Sequence, residues 1–353
     1  MIARDEAARI ARALNSARLH VDRMIVLDTG SVDSTAEMAR ACGAEVHSFT
    51  WCDDFARARN AALAWSDAAW NLVLDADEWL EDGTEALTAD WLEAGGNRFL
   101  GDIRIANHMD GGGVVGTANS WIPRILPAGV GYSGRVHEQP VSDLPHRRLP
   151  LLVGHDGYIT TNLDRKGARN ETLLMREIET HPDDAYLWFQ LGKEHQARAR
   201  AAQAALCFAE ARRLAPPEAP WRHALIVRSL IALKNDGRLQ EALELADDEV
   251  LRWQNSPDFY YVVGDLYLEA SSQDPERAID NWLPVVEQAW KRCLEIGERP
   301  DLDGAVTGRG GHLAAHNLAV FYETTGHPAL ASQYQALTAS LRPNDSRLVS
   351  ELR

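Results

Sequence analysis

Apolar residues in the first part of the chain follow two different spacings. Residues 5–19 carry them at helical spacing, whereas residues 23–28 and 45–49 read as short strands. A second helical stretch includes residues 56–64, and the apolar run 71–74 follows it. Strands that alternate with helices of about a dozen residues are typical of parallel βαβ units. We therefore predict an α/β, Rossmann-like domain with a mostly parallel sheet, in which ligands lie at the carboxyl ends of the strands.

The pattern changes twice further along the chain. From residue 100 to about residue 160, short apolar stretches are interrupted by glycine and proline, as in Gly111–Gly113. This predicts an irregular sheet-and-loop region that completes the site. Beyond residue 165 the pattern is helical almost throughout. We therefore place an α/β domain at residues 1–165 and an all-α domain at residues 166–353.

The helical part contains a repeat. Pro182 and Pro216 are 34 positions apart, and the residues between them match the tetratricopeptide pattern. Similar, degraded units begin near Trp221, Pro257 and His316, the last ending at residues 341–344. A short helical solenoid of this kind presents an extended concave surface to another chain. Two uses stay open, a groove for an acceptor or the interface of a homodimer.

Composition and charge narrow the classes of function. The chain has 353 residues, 45% hydrophobic and 25% charged, which is the balance of a globular protein. Its formal charge of −16 argues against a broad nucleic-acid-binding surface, although a few positioned cations could still neutralise a small phosphorylated ligand. We expect no signal peptide, no integral membrane segment and a cytoplasmic location, because the first residues are charged and no apolar run approaches bilayer length.

The strongest chemical signal is Asp75-Ala76-Asp77 at the end of an apolar strand. A nucleotide diphosphate-sugar carries two adjacent phosphates, and its cleavage places more charge on the leaving group. A divalent cation held by carboxylates lowers that cost. We assign the metal to Asp77 and the ribose or sugar hydroxyls to Asp75. The alternative is an acidic strand end that caps the next helix.

A second signal is the segment Asp28–Thr35. Gly30 permits a tight turn, and the carboxylate of Asp28 can accept hydrogen bonds from a nucleobase or ribose. An ordinary connection between strand and helix, with Asp33 or Ser34 as the cap, is the other interpretation.

Several motifs, in this order, resemble those of glycosyltransferase family 2, which has the GT-A fold, and within it the bacterial subgroup with carboxyl-terminal tetratricopeptide repeats. The matching segments are Met1–Glu6, Asp28–Thr35, Trp51–Asn60, Leu74–Glu78, Gly134–Gln139 and Gly154–Tyr158. In that family a full strand precedes the position of Met1, and here we expect only a short remnant of it.

The resemblance implies roles for individual residues. Asp28 would contact the nucleobase, with Asp33 in the same segment, Arg59 and Asn60 would lie beside the nucleotide, and Asp77 would bind the metal. A guanidinium near a helix start can pair with a phosphate or orient Asp28, which agrees with this role for Arg59. A surface ion pair with a neighbouring aspartate, Asp53 or Asp54, is the alternative.

Later residues are candidates for the remaining chemistry. An inverting transfer needs a base that takes the acceptor proton, and we assign Glu138 to it, with His137 and Asp156 as further candidates. His155 can complete the metal shell, because imidazole joins carboxylates as a ligand. A structural role in a loop is the alternative for each.

These observations predict a glycosyltransferase that depends on Mn²⁺ or Mg²⁺. It would move a sugar from a nucleotide diphosphate donor, UDP-linked, to a peptide, protein or other acceptor, with inversion. A nucleotidyltransferase is disfavoured, because the segment Ala3–Ala7 is not a glycine-rich loop. From another class, a catalytically impaired scaffold that binds a protein partner through its repeats stays open.

Overall fold

The computed structural model describes residues 1–93, 96–111, 114–156 and 163–342. The chain divides into two compact units, with the division between Glu194 and His195. This lies later in the chain than the change of pattern at residue 165, and the contacts of Tyr186 with Gln139 and of Glu177 with Arg135 join the intervening segment to the α/β part.

The first unit contains the strands and the shorter helices. The strands are β1 (Ile2–Ala3), β2 (Ile25–Asp28), β3 (Glu45–Ser48), β4 (Trp70–Leu72), β5 (Glu78–Asp82), β6 (Leu100–Gly111), β7 (Val114–Pro127), β8 (Gly131–Ser133), β9 (Gln139–Val141) and β10 (His146–His155). The helices are α1 (Ile10–Ala17), α2 (Thr35–Ala41), α3 (Phe55–Leu63), α4 (Ala89–Glu93) and α5 (Leu163–Thr180), with a 3₁₀ turn at Thr84–Leu87.

The strands form a small parallel sheet, a larger mixed sheet and a two-stranded antiparallel sheet of β8 and β9. The small sheet has the order β1-β2-β3 and is parallel throughout. The larger sheet has the order β4-β7-β6-β10-β5, and only β6 and β10 run parallel in it. The predicted parallel arrangement is therefore confirmed for β1, β2 and β3, whereas β4 pairs antiparallel with β7. Strands β6 and β7 form one long hairpin in the region for which we predicted irregular sheet and loops.

Strand β1 pairs with Leu27 and Asp28 of β2. Helix α1 covers the small sheet through Ile10 and Leu14, which belong to the same buried cluster as Val26. A cavity of about 550 Å³ lies beside β1, with apolar side chains of α1, β2 and β4 in its wall. The small sheet thus carries Asp28 at the carboxyl end of its central strand.

Helices make up the rest of the described chain, as predicted. They are α6 (Ala185–Ala197), α7 (Ala201–Leu214), α8 (Arg222–Asn235), α9 (Leu239–Glu249), α10 (Pro257–Gln273), α11 (Pro275–Arg277), α12 (Leu283–Ile296), α13 (His312–Thr324) and α14 (Pro328–Leu341). From α7 onward, long helices pack on their neighbours in sequence, as in a helical repeat. The repeat with prolines at 182 and 216 corresponds to α6 and α7. Gly157, Tyr158, Pro343 and Asn344 lie outside the described residues.

No helix in the described ranges is long and apolar enough to cross a membrane.

Close packing between α10 and α12 occurs at Gly264. A Cβ atom added there would lie 2.3 Å from Trp290 Nε1. Forcing a methyl group into a packed contact costs about 1–3 kcal/mol, which outweighs the gain of at most about 1 kcal/mol from replacing glycine in a helix. We therefore expect Gly264→Ala to lower the free energy of unfolding, measured by urea denaturation. The exposed Glu269→Ala on the same helix is the control, and a Gly264→Ala protein as stable as that control would contradict this packing.

Candidate active site

The acidic residues singled out in the sequence lie after two strands. Asp28 is the last residue of β2, and Asp75 and Asp77 lie between β4 and β5. Val73 extends the pairing of β4, since its N–H donates to the carbonyl of Arg124 at 2.8 Å. Helix α3 begins after Asp54, whose side chain accepts a hydrogen bond from the Arg57 N–H and thereby caps the helix that carries Arg59.

Asp75 lies between two arginines. Arg59 Nη2 donates to one carboxylate oxygen at 2.8 Å, and Arg124 Nη2 donates to the other at 2.7 Å. Arg124 also reaches Glu78 Oε1 at 2.7 Å, and the Nε of Arg59 donates to Glu138. The side chains of the two arginines, Glu78 and Glu138 are at most 8% exposed, and that of Asp75 is 30% exposed. We call these five residues the buried charge network.

The network fixes the ionisation of its members. Burial disfavours the charged form of Asp75, but Arg124 and Arg59 overcome this effect and hold the pKa of Asp75 well below its ordinary value. Burial also opposes the charge of Arg59, yet Asp75 and Glu138 raise the pKa of that guanidinium well above its ordinary value. For Glu78, burial dominates and raises the pKa. Asp75 and the two arginines are therefore charged at neutral pH.

These contacts correct the predicted partners of Arg59. The hydrogen bonds and ion pairs of Arg59 in the described residues are to Asp75 and Glu138, not to Asp28, Asp53 or Asp54. Asp53 instead accepts from the indole of Trp51 at 2.9 Å. Arg59 is buried in α3 because that helix packs against β2 and β8, so a surface ion pair is not open to it.

Asp77 and His155 face each other. The distance from Asp77 Oδ2 to His155 Nε2 is 3.7 Å. Burial lowers the pKa of His155, but Asp77 outweighs it and the pKa is raised overall. On the other side of the ring, Nδ1 lies 2.8 Å from Asn107 Oδ1. Carboxylate and imidazole are both ligands for divalent cations.

The pair fits the predicted metal. Two donors 3.7 Å apart can share one cation, because metal bonds to such atoms are about 2.0–2.2 Å long. A cation held by Asp77 and His155 alone would leave coordination positions for phosphate oxygens and water. No group of three or more such side chains is found in the described ranges. Their roles as metal ligands stay a prediction that this geometry supports.

Asp156 follows His155 and lies beside Asp77, whose carbonyl accepts its N–H at 3.4 Å. Its carboxylate pairs with Arg12 and with Arg9, the latter at 3.4 Å. The Arg12 guanidinium also stacks 3.7 Å from the ring centre of Trp79. Asp156 is thus next to the candidate metal pair but is engaged by Arg12 of α1 and by Arg9, which directly precedes α1.

The other nucleotide-side candidates make local hydrogen bonds. Asp28 Oδ1 accepts from the N–H groups of Gly30 and Ser31 at 3.0 and 2.8 Å and closes its own turn. Asp33 accepts from the N–H groups of Thr35 and Ala7 at 3.0 and 3.1 Å, which joins the start of α2 to the loop before α1. Both residues thus take part in the connection between strand and helix that was the alternative interpretation of this segment. Binding of a nucleotide by Asp28 or Asp33 stays a prediction.

Asn60 has a similar local role. Its amide donates to the carbonyl of Tyr132 at 2.9 Å and accepts from the Tyr132 N–H at 2.8 Å, so it anchors β8 to α3. A place beside the nucleotide stays a prediction for Asn60.

The loop at residues 134–139 connects the buried charge network to α5 and α6. Glu138 contacts Arg59, whereas Arg135 Nε lies 3.1 Å from Glu177 and His137 Nε2 lies 3.8 Å from Glu194. His137 has a φ of 51°, a left-handed conformation that is uncommon for residues other than glycine. Because Glu138 is buried and paired, the geometry favours a positioning role for it over that of a base, and the assignment of a base to Glu138 or His137 stays a prediction.

Three residues of the site were not assigned a role from sequence. Glu78 was quoted in a motif only, although its position three residues after Asp75 lets it accept the Asp75 N–H at 2.9 Å. Arg124 is a single charge within the apolar segment Ile122–Leu126, and such a placement is a usable signal of a buried partner. Asn107 carries no such signal.

Comparison with known proteins finds a family match in the amino-terminal part of the chain. Residues 1–126 match the family model described as glycosyl transferase family 2. The amino-terminal part of the chain therefore belongs to glycosyltransferase family 2.

Individual relatives cover more of the chain. A TPR repeat-containing protein of Synechococcus elongatus is 30% identical over 69% of this chain and 63% of its own length. The SPbeta prophage-derived glycosyltransferase SunS of Bacillus subtilis is 28% identical over 55% of this chain and 48% of its own length. The chain thus spans about half to two thirds of these curated relatives. Among solved structures, MamA of Desulfovibrio magneticus aligns with 52% of this chain and 89% of its own length at 14% identity, and its TM-score of 0.41 carries no further conclusion.

Proposed function

We propose that this protein is a metal-dependent glycosyltransferase that uses a UDP-sugar and transfers the sugar with inversion. The observation that carries the proposal is the pairing of Asp77 with His155, 3.7 Å apart, next to the buried charge network in a family 2 domain. A cation such as Mn²⁺ or Mg²⁺, when bound, would supply positive charge to the departing diphosphate.

The residues of the chain would divide the work as follows. Asp77 and His155 hold the cation. Arg59 and Arg124 keep Asp75 ionised and fixed, so that its partly exposed carboxylate can accept a hydroxyl of the ribose or sugar without reorienting. Asp28, at the end of β2, contacts the nucleobase of the donor.

The proton of the acceptor needs a base, and the candidates differ in position. Glu138 is 7% exposed and bonded to Arg59, and His137 faces Glu194 of α6. Asp156 is adjacent to Asp77, and its carboxylate pairs with Arg9 and Arg12. We therefore favour Asp156 among the three, on condition that the acceptor displaces at least one arginine.

We further propose a peptide or protein acceptor. Support comes from the succession of packed helices from α7 to α14, since helical repeats of this type offer extended surfaces to other chains.

Calorimetric titration with UDP, with and without Mn²⁺, tests the donor part of the proposal. We expect UDP to bind in the presence of Mn²⁺ and to bind much more weakly after its removal by a chelator, because the diphosphate and the two side chains share the cation. Parallel titrations with GDP and ADP test whether the site prefers uracil over other nucleobases. If the intact chain binds no nucleoside diphosphate with either Mn²⁺ or Mg²⁺, the proposal is overturned and a scaffold that acts through its repeats takes its place.

A further inference from the structure

The side-chain amide of Asn107 has only one possible orientation. Its nitrogen lies 3.0 Å from the carbonyl oxygen of Ala118, 3.3 Å from Ser120 Oγ and 3.4 Å from the carbonyl oxygen of Ile105. Carbonyl oxygens only accept hydrogen bonds, so an exchange of the amide oxygen and nitrogen would set two acceptors against each other. The oxygen of Asn107 must therefore be the atom that lies 2.8 Å from His155 Nδ1.

This orientation determines which nitrogen of His155 carries a proton. An amide oxygen accepts, so Nδ1 of His155 must donate. In the neutral ring, Nε2 then has no proton and directs its lone pair to the side of Asp77, 3.7 Å away. A metal ligand requires this lone pair.

Strand pairing in the larger sheet places Asn107 beside His155. Asn107 on β6 and His155 on β10 are direct partners in the parallel strand pair. Ala118, which accepts from Asn107, is the partner of Asn107 on the other side, in β7. Three adjacent strands therefore fix the amide.

We propose that Asn107 is the positioning residue that selects the Nδ1–H tautomer of His155 and so presents Nε2 as a metal ligand. The inference rests on the proposed function where it concerns the metal, but the tautomer itself can be observed without any metal. Removal of an outer partner of a metal-binding histidine typically lowers metal affinity by about 10- to 100-fold. Asn107→Ala should show a loss of that size.

Nitrogen-15 NMR of the imidazole rings tests the tautomer in the metal-free, full-length protein. Spectra are recorded at a pH at which His155 is neutral, as found by titration in the same samples, and His155→Gln assigns the signal. We expect the Nδ1–H form in the unchanged protein and the Nε2–H form, donating to Asp77, in Asn107→Ala. A ring in the Nε2–H form in the unchanged protein, or in the Nδ1–H form in both proteins, overturns the inference.

A Mn²⁺ titration in the presence of UDP, followed by electron paramagnetic resonance of free Mn²⁺, tests the consequence. Asn107→Ala and Asn107→Ser should each weaken binding by about 10- to 100-fold. Thr117→Val is the matched control, because Thr117 lies in the same hairpin and contacts His108, and we expect unchanged affinity. Equal affinity in the Asn107 variants and the control overturns the inference. If the unchanged protein binds no Mn²⁺, the proposed function fails, and the NMR result still decides the role of Asn107.

Discussion

Asp77→Asn should remove Mn²⁺-dependent binding of UDP almost completely. The substitution keeps the size of the side chain but removes the negative charge that attracts the cation beside His155. Removing a direct metal ligand should weaken metal binding more than removing a residue that only contacts a ligand. We therefore expect the affinity for UDP in the presence of Mn²⁺ to fall by at least about 100-fold. Calorimetric titration with UDP at saturating Mn²⁺ measures it, and sugar transfer should fall in parallel.

The control for this variant is Asp90→Asn, which makes the same change of charge at an exposed position in α4. The comparison separates a local effect from an effect of net charge, because each substitution removes one negative charge from a protein whose formal net charge is −16. If Asp77→Asn binds UDP as tightly as Asp90→Asn does, Asp77 is not a metal ligand and the proposed division of work between Asp75 and Asp77 fails.

Asp75→Ala should destabilise the protein strongly, whatever its effect on binding. It leaves the guanidinium groups of Arg59 and Arg124 buried without the carboxylate that both contact. Removing one partner from a buried ion pair costs about 3–5 kcal/mol, and we expect a loss of that order in the free energy of unfolding of the first unit. Chemical denaturation followed by tryptophan fluorescence measures it.

An exposed aspartate that also pairs with an arginine provides the control. The side chain of Asp67 is 86% exposed beside Arg23, so Asp67→Ala should leave stability unchanged within error. Equal stability of Asp75→Ala and Asp67→Ala would show that the buried charge network contributes nothing.

Local sequence patterns predicted the elements well where the pattern was regular. Strands β2 and β3 and helix α3 lie within two residues of the predicted positions, because short apolar runs and helical spacing are properties of neighbouring residues. The hairpin of β6 and β7 was missed, since Gly111–Gly113 was taken as a sign of irregular structure when Gly111 ends one long strand.

The partners in the site were harder to predict than its acidic residues. Asp75 and Asp77 stand out because they follow an apolar run, and the histidine at 155 was proposed as a ligand from its chemistry and order. Arg124, however, is 49 positions from Asp75, and Glu138 is 79 positions from Arg59. The ion pairs that these residues form depend on strand order in the larger sheet, and the spacing of residues along the chain does not encode that order.

The contacts of residues 134–139 also define where this chain can be divided. A protein cut at residue 165 would lose Glu177 and Glu194, the partners of Arg135 and His137. The freed loop would then hold Glu138 less firmly against Arg59. Engineers who wish to graft other repeats onto the α/β part should therefore place the seam after Ala197, where α6 ends, and keep α5 and α6 with the α/β part.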